Sequence, residues 1–444
     1  MFLNEGWTAA GTVTAGKVAV SHMRHLYRFM GSMNRLSTTV LRCDPTSISF
    51  SSQSDQPDVT SCETRNALQA AAHRLSNLHE IVAFPTETVY GLGANALNAD
   101  SVSEIFRTKG RPADNPLIVH VSSLAMLRTL LPDGYRIPPS YETLMNHFWP
   151  GPLTLLFPKR EGVIPQIVTA SQPTVAIRMP SHHVARALIA FAGVPLAAPS
   201  ANTSGKPSPT RAEHVLKDLK GKVGIILDGG QCGVGLESTV VDGLHEDGDI
   251  RILRPGGVTY EDITRVLQNM DRTNNTIPRV LIHRRDYTDE VMEQAPTTPG
   301  MKYRHYSPIA PVTLLLTRTK SSNSAPLTVK AYLKSLKESH PAPSGKPLRV
   351  GVLAPEDSDL WGCLIQDDQF EWHQYPLGLK DTPSATAYRL FDGLITLDER
   401  GVDHIIIEEV DEKREGLAVM NRVRKAASDV RRVSFGPEAG SAST

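Results

Sequence analysis

A chain of 444 residues is too long for one ordinary hydrophobic core and is typical of two domains with terminal extensions. Because 47 Lys and Arg residues balance 47 Asp and Glu residues, no global field favours tight, sequence-independent binding to DNA or RNA. No apolar run reaches the roughly 18 residues of a membrane span, and four scattered cysteines without a C-x-x-C pair disfavour a zinc site or a disulfide framework. The chain is therefore expected to be soluble and intracellular, with reduced thiols.

The N-terminal residues 1–63 have the composition of an extension. No acidic residue lies between Gly6 and Cys43, whereas Lys and Arg recur among Ser, Thr, Leu and Phe. This pattern is typical of an organellar transit peptide, and a disordered basic tail fits it equally well. Residues 47–64 are rich in Ser, Gln, Asp and Pro, which indicates a linker. We predict that 1–63 are disordered and that the protein is cytoplasmic, with an additional mitochondrial location left open.

A first domain is predicted over residues 64–270. It opens with a helical pattern from Thr64 to Leu78. Apolar runs of strand length follow at Ile81–Phe84, Leu117–Val121, Leu153–Phe157, Val175–Met179, Pro195–Ala198, Val223–Leu227, Thr239–Val241 and Ile250–Leu253. Helices are predicted at Ser101–Thr108, Leu124–Leu131, Ser140–His147, His183–Phe191, Arg211–Leu219 and Tyr260–Asn269. This succession predicts a twisted, mixed sheet of α+β type.

A second domain is predicted over residues 311–430. Residues 271–310 lack steady periodicity and carry several prolines, so they are interpreted as an interdomain linker, and 431–444 as a disordered tail. Strands are predicted at Val312–Leu316, Leu348–Leu353, Phe370–Gln374 and His404–Glu408, and helices at Thr328–Glu338, Ser384–Glu399 and Gly416–Ser428. Their alternation favours a smaller α/β domain with a mostly parallel, Rossmann-like sheet.

Two cations separated by one glycine, Lys109 and Arg111, are the strongest functional signal. Pro112 stops the preceding helical run, so both positive side chains are expected on one exposed loop that can bind anionic oxygens. Taken alone, such a pair more often complements a helix dipole. However, a turn rich in Thr, Tyr and Gly precedes it at 86–93, and Pro-Ser-Ala-Asn follows at 199–202. Together these segments predict a polyphosphate site.

Two further polar residues interrupt apolar strands. His120 lies within the apolar run Leu117–Val121, and taken alone it is more often a satisfied core histidine than a ligand. Arg178 interrupts a second apolar run, and a buried arginine needs an anionic partner or several acceptors. A carboxylate ligand is therefore expected at Arg178. Glu237 and Ser238, after a glycine-rich segment, could also meet an amino-acid ligand.

Common nucleotide motifs do not explain the anion site. The G-x-G-x-x-A series from Gly91 to Ala96 does not begin where a strand ends in a βαβ unit, as a Rossmann fingerprint requires. Ser-Gly-Lys at 204–206 is followed by Pro207, which offers no hydroxyl to a metal, so it is not a Walker A loop. The glycine-rich segment 229–235 is interpreted as a turn, with an anion-binding backbone nest as the alternative.

The order of these segments resembles the threonylcarbamoyl-AMP synthase family, in its long, eukaryotic and fungal-type form. The resemblance covers roughly residues 65–428 and rests on PTETVYGLG, KGRPADNPLIVHV, FWPGPLT, VAIRMP, PLAAPSANTSGKPSPT, LESTVVD, RILRPGG and GMKYRHYSP. It implies a YrdC-like α+β catalytic domain followed by a C-terminal α/β domain. The implied enzyme is a nucleotidyltransferase that converts L-threonine, bicarbonate and ATP into L-threonylcarbamoyladenylate and pyrophosphate.

The resemblance also implies roles for individual residues. The residues implied for the L-threonine pocket are Thr88, His120, Arg178, Ala198 and Ser238, with Arg178 binding the amino-acid carboxylate. Those implied for ATP are Arg111, Asn115, Thr174, Ser200, Asn202, Ser208, Arg254 and Tyr306. Lys109 and Arg111 are the implied catalytic cations. No protein metal ligand is predicted, and Mg²⁺ is expected to accompany ATP with several waters retained.

The implied product is passed to a threonylcarbamoyl transferase complex that modifies adenosine 37 of tRNAs reading codons that begin with A. This chain need not hold the tRNA, and a weak contact is left open. The alternative function is an RNA-binding protein that uses the same basic concave surface. Carbamoyl transferases of hydrogenase maturation share the YrdC-like module, but they carry cysteine-rich zinc segments that this sequence lacks.

The segment Lys302–Pro308 is unusual for a linker because it combines two tyrosines, three basic groups and a closing proline. Our hypothesis is that this strap crosses the mouth of the first domain and that Tyr306 contacts the nucleotide. The strap would then keep water from the mixed anhydride. The alternative is that its side chains only join the two domains.

Overall fold

The structure is a computed structural model that describes residues 37–51, 54–270, 277–283, 286, 305–318, 326–339, 346–364 and 369–435. The strands are β1 (Thr39–Arg42), β2 (Ile48–Ser49), β3 (Asp58–Val59), β4 (Val82–Phe84), β5 (Gly91–Asn95), β6 (Ile118–His120), β7 (Leu153–Pro158), β8 (Thr174–Arg178), β9 (Leu196–Ala197), β10 (Ile225–Asp228), β11 (Thr239–Asp242), β12 (Ile250–Arg254), β13 (Val280–Ile282), β14 (Val312–Leu316), β15 (Leu327–Thr328), β16 (Leu348–Ala354), β17 (Phe370–Pro376), β18 (His404–Glu408) and β19 (Asp429–Ser434). The helices are α1 (Cys62–Ser76), α2 (Ala99–Lys109), α3 (Leu124–Leu130), α4 (Pro139–Phe148), α5 (Gln166–Thr169), α6 (His183–Ala192), α7 (Ala212–Leu219), α8 (Tyr260–Gln268), α9 (Val329–Ser339), α10 (Leu360–Cys363), α11 (Pro383–Glu399) and α12 (Glu415–Ala426), and a 3₁₀ turn spans Pro45–Ser47.

Two large sheets organise these elements. The first has eleven strands in the order β1-β10-β4-β5-β9-β6-β8-β7-β11-β12-β13 and mixes parallel with antiparallel pairs. The second has six strands in the order β15-β19-β14-β18-β16-β17, and all its pairs are parallel. The α+β prediction for the first domain and the mostly parallel α/β prediction for the second are both confirmed. Among the described residues, no helix combines the length and apolar composition needed to cross a bilayer.

Local sequence explains the helices that frame the first sheet. The hydroxyl of Ser61 caps α1 by accepting the Thr64 N–H, and the buried face of α1 includes Ala67, Leu68 and Leu75. Asn98 caps α2 in the same way, and α2 ends where Gly110 adopts a left-handed φ of 61°. A side chain there would be strained, so the glycine fixes the point at which the helix stops. Lys109 is therefore the last residue of α2.

The predicted N-terminal extension was wrong for its second half. Thr39–Arg42 forms β1, which pairs in parallel with β10, and Ser61 already caps the first helix. β1 is short and largely exposed, and it depends on a partner almost two hundred residues away, so no local pattern could reveal it. Residues 1–36, which carry most of the basic pattern, lie outside the described residues, and the transit-peptide interpretation stays a prediction.

Three other strands longer than two residues were missed. A turn was expected at β5 because Gly-Leu-Gly has low strand propensity. In the structure this segment is a strand, and Gly93 packs against the Phe84 ring. β13 pairs in parallel with β12, so the predicted linker 271–310 contributes a strand to the first sheet. β19 pairs with β14 and β15, so the predicted tail 431–444 begins with ordered residues. β5 pairs with the preceding β4 and with the distant β9, whereas β13 and β19 pair with distant strands, so strand pairing and not composition stabilises each of them.

Side chains of opposite charge join the two domains. Arg211, at the start of α7, donates to Asp392 on α11 at 2.7 Å, and Asp392 also accepts from the Tyr375 hydroxyl at 2.5 Å. Lys217 and Glu399 pair 2.5 Å apart near the same edge. These contacts place α11 beside the first domain.

Candidate active site at the junction of the two domains

A concave cavity lies where the carboxyl ends of several first-sheet strands meet the second domain. Its empty space is about 720 Å³ including the open mouth, which suits a ligand of nucleotide size. It is lined by Thr86, Thr88, Val89, Gly91, Lys109, Arg111, Ile118, His120, Arg178, Ala198, Pro199, Ser200, Asn202, Ser204, Gly205, Lys206, Ser208, Glu237, Ser238, Arg254, His305 and Tyr306. Cations and hydroxyls dominate this lining, and Glu237 carries the one carboxylate among the described lining residues.

Lys109 is buried, which corrects the expectation of an exposed loop. Its side chain is 2% exposed, and its ammonium donates to the carbonyls of Ser200 and Asn202, each at 2.5 Å. The sequence placed Lys109 after the helix, but Lys109 is the last residue of α2 and Gly110 caps the helix, so the lysine side chain lies in the cavity wall. An ammonium has three N–H groups, so one remains for an anion in the cavity.

Arg111 is half-buried and is held by its own loop. Its Nε donates to the carbonyl of Asn115 at 3.3 Å, and its Nη2 donates to the carbonyl of Pro116 at 3.0 Å. Burial lowers the pKa of Arg111 to about 10, and burial together with the nearby Arg111 charge lowers the pKa of Lys109 well below its usual value. An anionic ligand between these cations would therefore be strongly favoured.

Arg178, at the end of β8, joins the turn that precedes β5. Its Nη1 donates to the Thr88 hydroxyl at 2.9 Å, and its Nε donates to the Gly151 carbonyl at 3.2 Å. Its Nη2 lies 2.5 Å from Oε1 of Glu87, outside hydrogen-bonding geometry. Arg178 is buried and the Glu87 side chain is 12% exposed, so the expected anionic partner of Arg178 is present within the chain.

The glycine-rich segment before β11 supports this turn. The N–H groups of Val234 and Gly235 donate to the carbonyls of Glu87 and Thr88 at 2.7 and 3.2 Å. These donors are used within the protein, and the segment does not line the cavity. The turn interpretation is therefore favoured over an anion-binding nest.

His120 lines the cavity at the end of β6. It is 3% exposed, and its Nδ1 lies 3.2 Å from the carbonyl of Ile118. Burial first, and the charge of Arg178 second, lower the pKa of His120 to about 3. The imidazole is therefore neutral at neutral pH and can serve as a hydrogen-bonding wall of the cavity.

Ser238 and Arg254 form one buried unit. The Ser238 hydroxyl lies 2.8 Å from that of Thr154, and Nη2 of Arg254 donates to the Ser238 carbonyl at 2.8 Å. The backbone of Gly256 packs so closely here that an added Cβ would lie 2.3 Å from the Ser238 carbonyl carbon. Gly256 thus allows the close backbone approach that sets the position of Ser238.

Glu237 is an ionised carboxylate within this cationic wall. Its Oε1 accepts from the Ser208 hydroxyl at 2.9 Å, and its Oε2 accepts from Arg422 at 3.1 Å. Burial alone would raise its pKa, but the charges of Arg422 and then Arg254 outweigh burial and lower the pKa of Glu237 to about 2. Its charge is therefore already neutralised by the protein.

The described end of the strap lies at the cavity. His305 and Tyr306 both line it, and Tyr306 packs against Phe391 of the second domain with ring centroids 5.1 Å apart. Tyr306 has a φ of 65°, which is rare for a bulky residue and must be imposed by its surroundings. The N–H of Ser307 donates to the Gly205 carbonyl at 2.8 Å, so the strap contacts both domains. Residues 302–304 lie outside the described residues.

Most of the residues implied by the sequence converge on this cavity. All five for threonine line it, as do Lys109, Arg111, Ser200, Asn202, Ser208, Arg254 and Tyr306. Asn115 and Thr174 do not; Asn115 supports Arg111 through its carbonyl, and Thr174 starts β8 at the strand end opposite Arg178. Their contacts with ATP stay predictions, as do the ligand roles of the other residues.

The sequence patterns assigned no site role to Glu87 or Lys206, and they gave Glu237 only a possible contact with an amino-acid ligand. Glu87 and Glu237 stood inside recognised motifs, but only the fold brings them to Arg178 and Arg422. In the sequence, Lys206 belongs to a segment that does not satisfy the Walker A pattern. In the structure it lines the cavity and pairs with Asp218 at 2.7 Å. Within the described ranges, no group of three or more His, Cys, Asp or Glu side chains could hold a metal.

Comparison with known proteins assigns both domains. Residues 76–256 match the Sua5, YciO and YrdC family model described as "Telomere recombination", and 258–428 match "Threonylcarbamoyl-AMP synthase, C-terminal domain". The threonylcarbamoyl-AMP synthase of Schizosaccharomyces pombe is 43% identical and covers 89% of this chain and 98% of its own. That of Bacillus subtilis is 41% identical and covers 84% and 96%, respectively.

A solved structure supports the same grouping. The crystal structure of Pyrococcus abyssi Sua5 complexed with L-threonine is 39% identical, covers 90% of this chain and 100% of its own, and has a TM-score of 0.68. The near-complete match to the fungal relative fits the long form that the motifs implied. With both domains matched and relatives aligned over almost their whole length, this chain belongs to the threonylcarbamoyl-AMP synthase family.

Proposed function

We propose that this chain is a threonylcarbamoyl-AMP synthase that joins L-threonine, bicarbonate and ATP, with release of pyrophosphate. The observation that carries the proposal is one cavity lined by Lys109, Arg111, Arg178 and Arg254, together with several hydroxyls. The carboxylate of Glu237 is neutralised by Arg422, so the cavity keeps an excess of positive charge. Such a site suits a substrate that carries several negative charges.

The threonine half of the cavity is proposed around Arg178. The amino-acid carboxylate would approach its guanidinium, and the hydroxyls of Thr88 and Ser238 would meet the polar groups of the substrate. Glu87 lies beside Arg178, outside the cavity lining, and would hold the guanidinium in place. Ala198 and the neutral His120 would form the remaining walls.

The first chemical step would be formation of a carbamate. The threonine nitrogen attacks the carbon of bicarbonate, a C–N bond forms, and water leaves after proton transfer to the departing hydroxyl. His120 is a poor proton acceptor near pH 7, because its pKa lies at about 3. Its proposed part is therefore to hold the substrate by hydrogen bonding.

The second step would be adenylation. A carbamate oxygen attacks the α-phosphorus of ATP, and the bond to the β-phosphate oxygen breaks, so pyrophosphate leaves. Lys109 and Arg111 are proposed to stabilise the charge that builds on the phosphate and carbamate oxygens. Because no covalent enzyme intermediate is needed, positioning and charge stabilisation account for the protein's contribution.

ATP is proposed to lie along the wall that includes Ser200, Asn202, Ser208, Arg254 and Tyr306. The Asn202 amide donates to the carbonyls of Thr203 and Lys206 at 2.8 and 3.0 Å, so it fixes the loop that would border the nucleotide. Mg²⁺ is proposed to enter bound to the triphosphate, because the lining's carboxylate is already paired with Arg422.

The burial of the cations weighs against the RNA-binding alternative. Lys109, Arg178 and Arg254 are 2%, 3% and 5% exposed, and a nucleic-acid backbone cannot reach such groups without opening the fold. Binding of RNA would also fall steeply with salt, whereas a nucleotide within a cavity would show a shallow dependence. We propose that the product passes to a threonylcarbamoyl transferase complex acting on tRNA.

The decisive assay is release of pyrophosphate from ATP by the full chain. Release should require L-threonine and bicarbonate together, and omission of either should reduce it to background. A matched reaction with valine in place of threonine controls for non-specific hydrolysis. Equal release without threonine would refute the proposed function.

A further inference from the structure

An arginine of the C-terminal domain reaches the wall of the cavity. Arg422, on α12, is fully buried, with 0% of its side chain exposed. Its Nε donates to Oε2 of Glu237 at 3.1 Å, and its Nη1 donates to the carbonyl of Pro255. Both acceptors belong to the catalytic domain and flank Arg254 and Ser238. Nothing in the sequence motifs or in the reaction described above assigns a part to Arg422.

Glu237 links Arg422 to other groups that line the cavity. Its second oxygen accepts from the Ser208 hydroxyl at 2.9 Å, and its charge acts on Tyr306 of the strap. The neighbouring Ser238 is held through its backbone by Arg254. One buried arginine thus fixes a carboxylate that orients Ser208 and faces Arg254 and Tyr306.

Loss of Arg422 would change the charge balance inside the wall. A buried carboxylate needs an opposite charge, and Arg254 is the cation within the cavity lining that acts most strongly on Glu237. Glu237 would therefore draw Arg254 away from an anionic ligand. Ser208 would lose its fixed acceptor at the same time. Both changes fall mainly on the proposed ATP side. On the threonine side, Arg178 and Glu87 would keep their contact, and the Ser238 hydroxyl would keep its contact with Thr154 when Arg254 moves.

We propose that Arg422 is a positioning residue for adenylation: it neutralises Glu237 so that Arg254 and Ser208 stay directed toward the nucleotide. The C-terminal domain then completes the active site through this one side chain, in addition to covering it. This inference rests on the proposed function, because it concerns the ATP side of the same cavity.

The test compares four variants of the full chain in the pyrophosphate assay and in calorimetry with ATP alone. Arg422→Met should raise KM for ATP by about tenfold or more and leave KM for threonine within about threefold. Arg422→Lys keeps the charge but loses the planar fork, so an intermediate effect is expected. The control is Arg424→Met on the same helix, where Arg424 is 47% exposed and pairs with Glu412, and this variant should match wild type.

The double variant Glu237→Gln/Arg422→Met separates positioning from mere docking of the domains. Because it removes the buried charge together with its partner, its KM for ATP should return toward the wild-type value. If Arg422→Met does not fold, as judged by its Tm, Arg422→Lys and the double variant carry the same comparison.

An unchanged KM for ATP in folded Arg422→Met would overturn the inference. So would equal rises in both KM values, or a double variant no better than the single one. If wild type forms no threonylcarbamoyl-AMP, the proposed function fails first, and calorimetric ATP binding to Arg422→Met still decides the inference by itself.

Discussion

Replacement of Lys109 by methionine should damage both stability and turnover. Methionine can occupy the space of the aliphatic stem, but it leaves the carbonyls of Ser200 and Asn202 buried without the donor that each now has at 2.5 Å. Hydrogen bonds to a charged donor are worth about 1.5–3 kcal/mol each, so the two together predict a loss of about 3–6 kcal/mol in the free energy of unfolding. A loss of that size lowers Tm by roughly 10 °C.

The same substitution should reduce kcat by about 10²–10³-fold, the usual cost of removing one donor from a charge-stabilising site. The assay is threonine- and bicarbonate-dependent release of pyrophosphate, measured well below the Tm of the variant. Arg107→Met on the same helix is the control, because Arg107 is 76% exposed and an exposed ion pair contributes about 0–1 kcal/mol. Turnover of Lys109→Met within threefold of wild type would refute a catalytic role for this lysine.

Three further predictions follow from the site. The pKa of His120 is about 3 in the folded protein and about 6.5 when unfolded, so between these pH values the proton binds only to the unfolded chain. The contribution of neutral His120 to the free energy of unfolding is therefore fully present above pH 6.5 and is lost as the pH falls toward 3. Between pH 6.5 and 5 the loss should be about 1.5 kcal/mol. Urea unfolding of His120→Asn should show a correspondingly flatter pH dependence, and an unchanged slope would contradict the burial argument. Tyr306→Ala should weaken ATP binding more than threonine binding in calorimetry, and equal losses would show that the strap is only a tether. Threonine should be preferred to valine by about 10⁴-fold in kcat/KM, because valine leaves buried hydrogen-bonding groups unpaired; competition by valine at threonine-like concentrations would argue against the proposed pocket.

The sequence predicted the strands and helices that have a clear hydrophobic pattern of their own. The eight strands expected in the first domain all exist, because each is an apolar run bounded by turn residues. β1 and β13 were missed because their stability comes from parallel pairing with distant strands and not from their own hydrophobic pattern. Such long-range pairing has no local signature.

The sequence identified the functional residues of the site better than it predicted their burial and their partners. The motifs named Lys109 and Arg178, and the apolar run predicted that Arg178 is buried, but the burial of Lys109 and the pairing of Arg178 with Glu87 were not predicted. The pairing depends on how the turn before β5 meets the end of β8, and the burial of Lys109 depends on the backbone of Ser200 and Asn202. Arg422 was out of reach of motif reasoning, since it acts from a different domain through Glu237.

The most direct test of the central claim is a reaction with ¹³C-labelled bicarbonate, L-threonine and ATP, analysed by mass spectrometry. The account predicts an adenylate that contains threonine and one labelled carbon, formed in a one-to-one ratio with pyrophosphate. The Lys109→Met variant should form little of it. An adenylate without the label, or pyrophosphate release without threonine in the product, would contradict the assignment of this cavity.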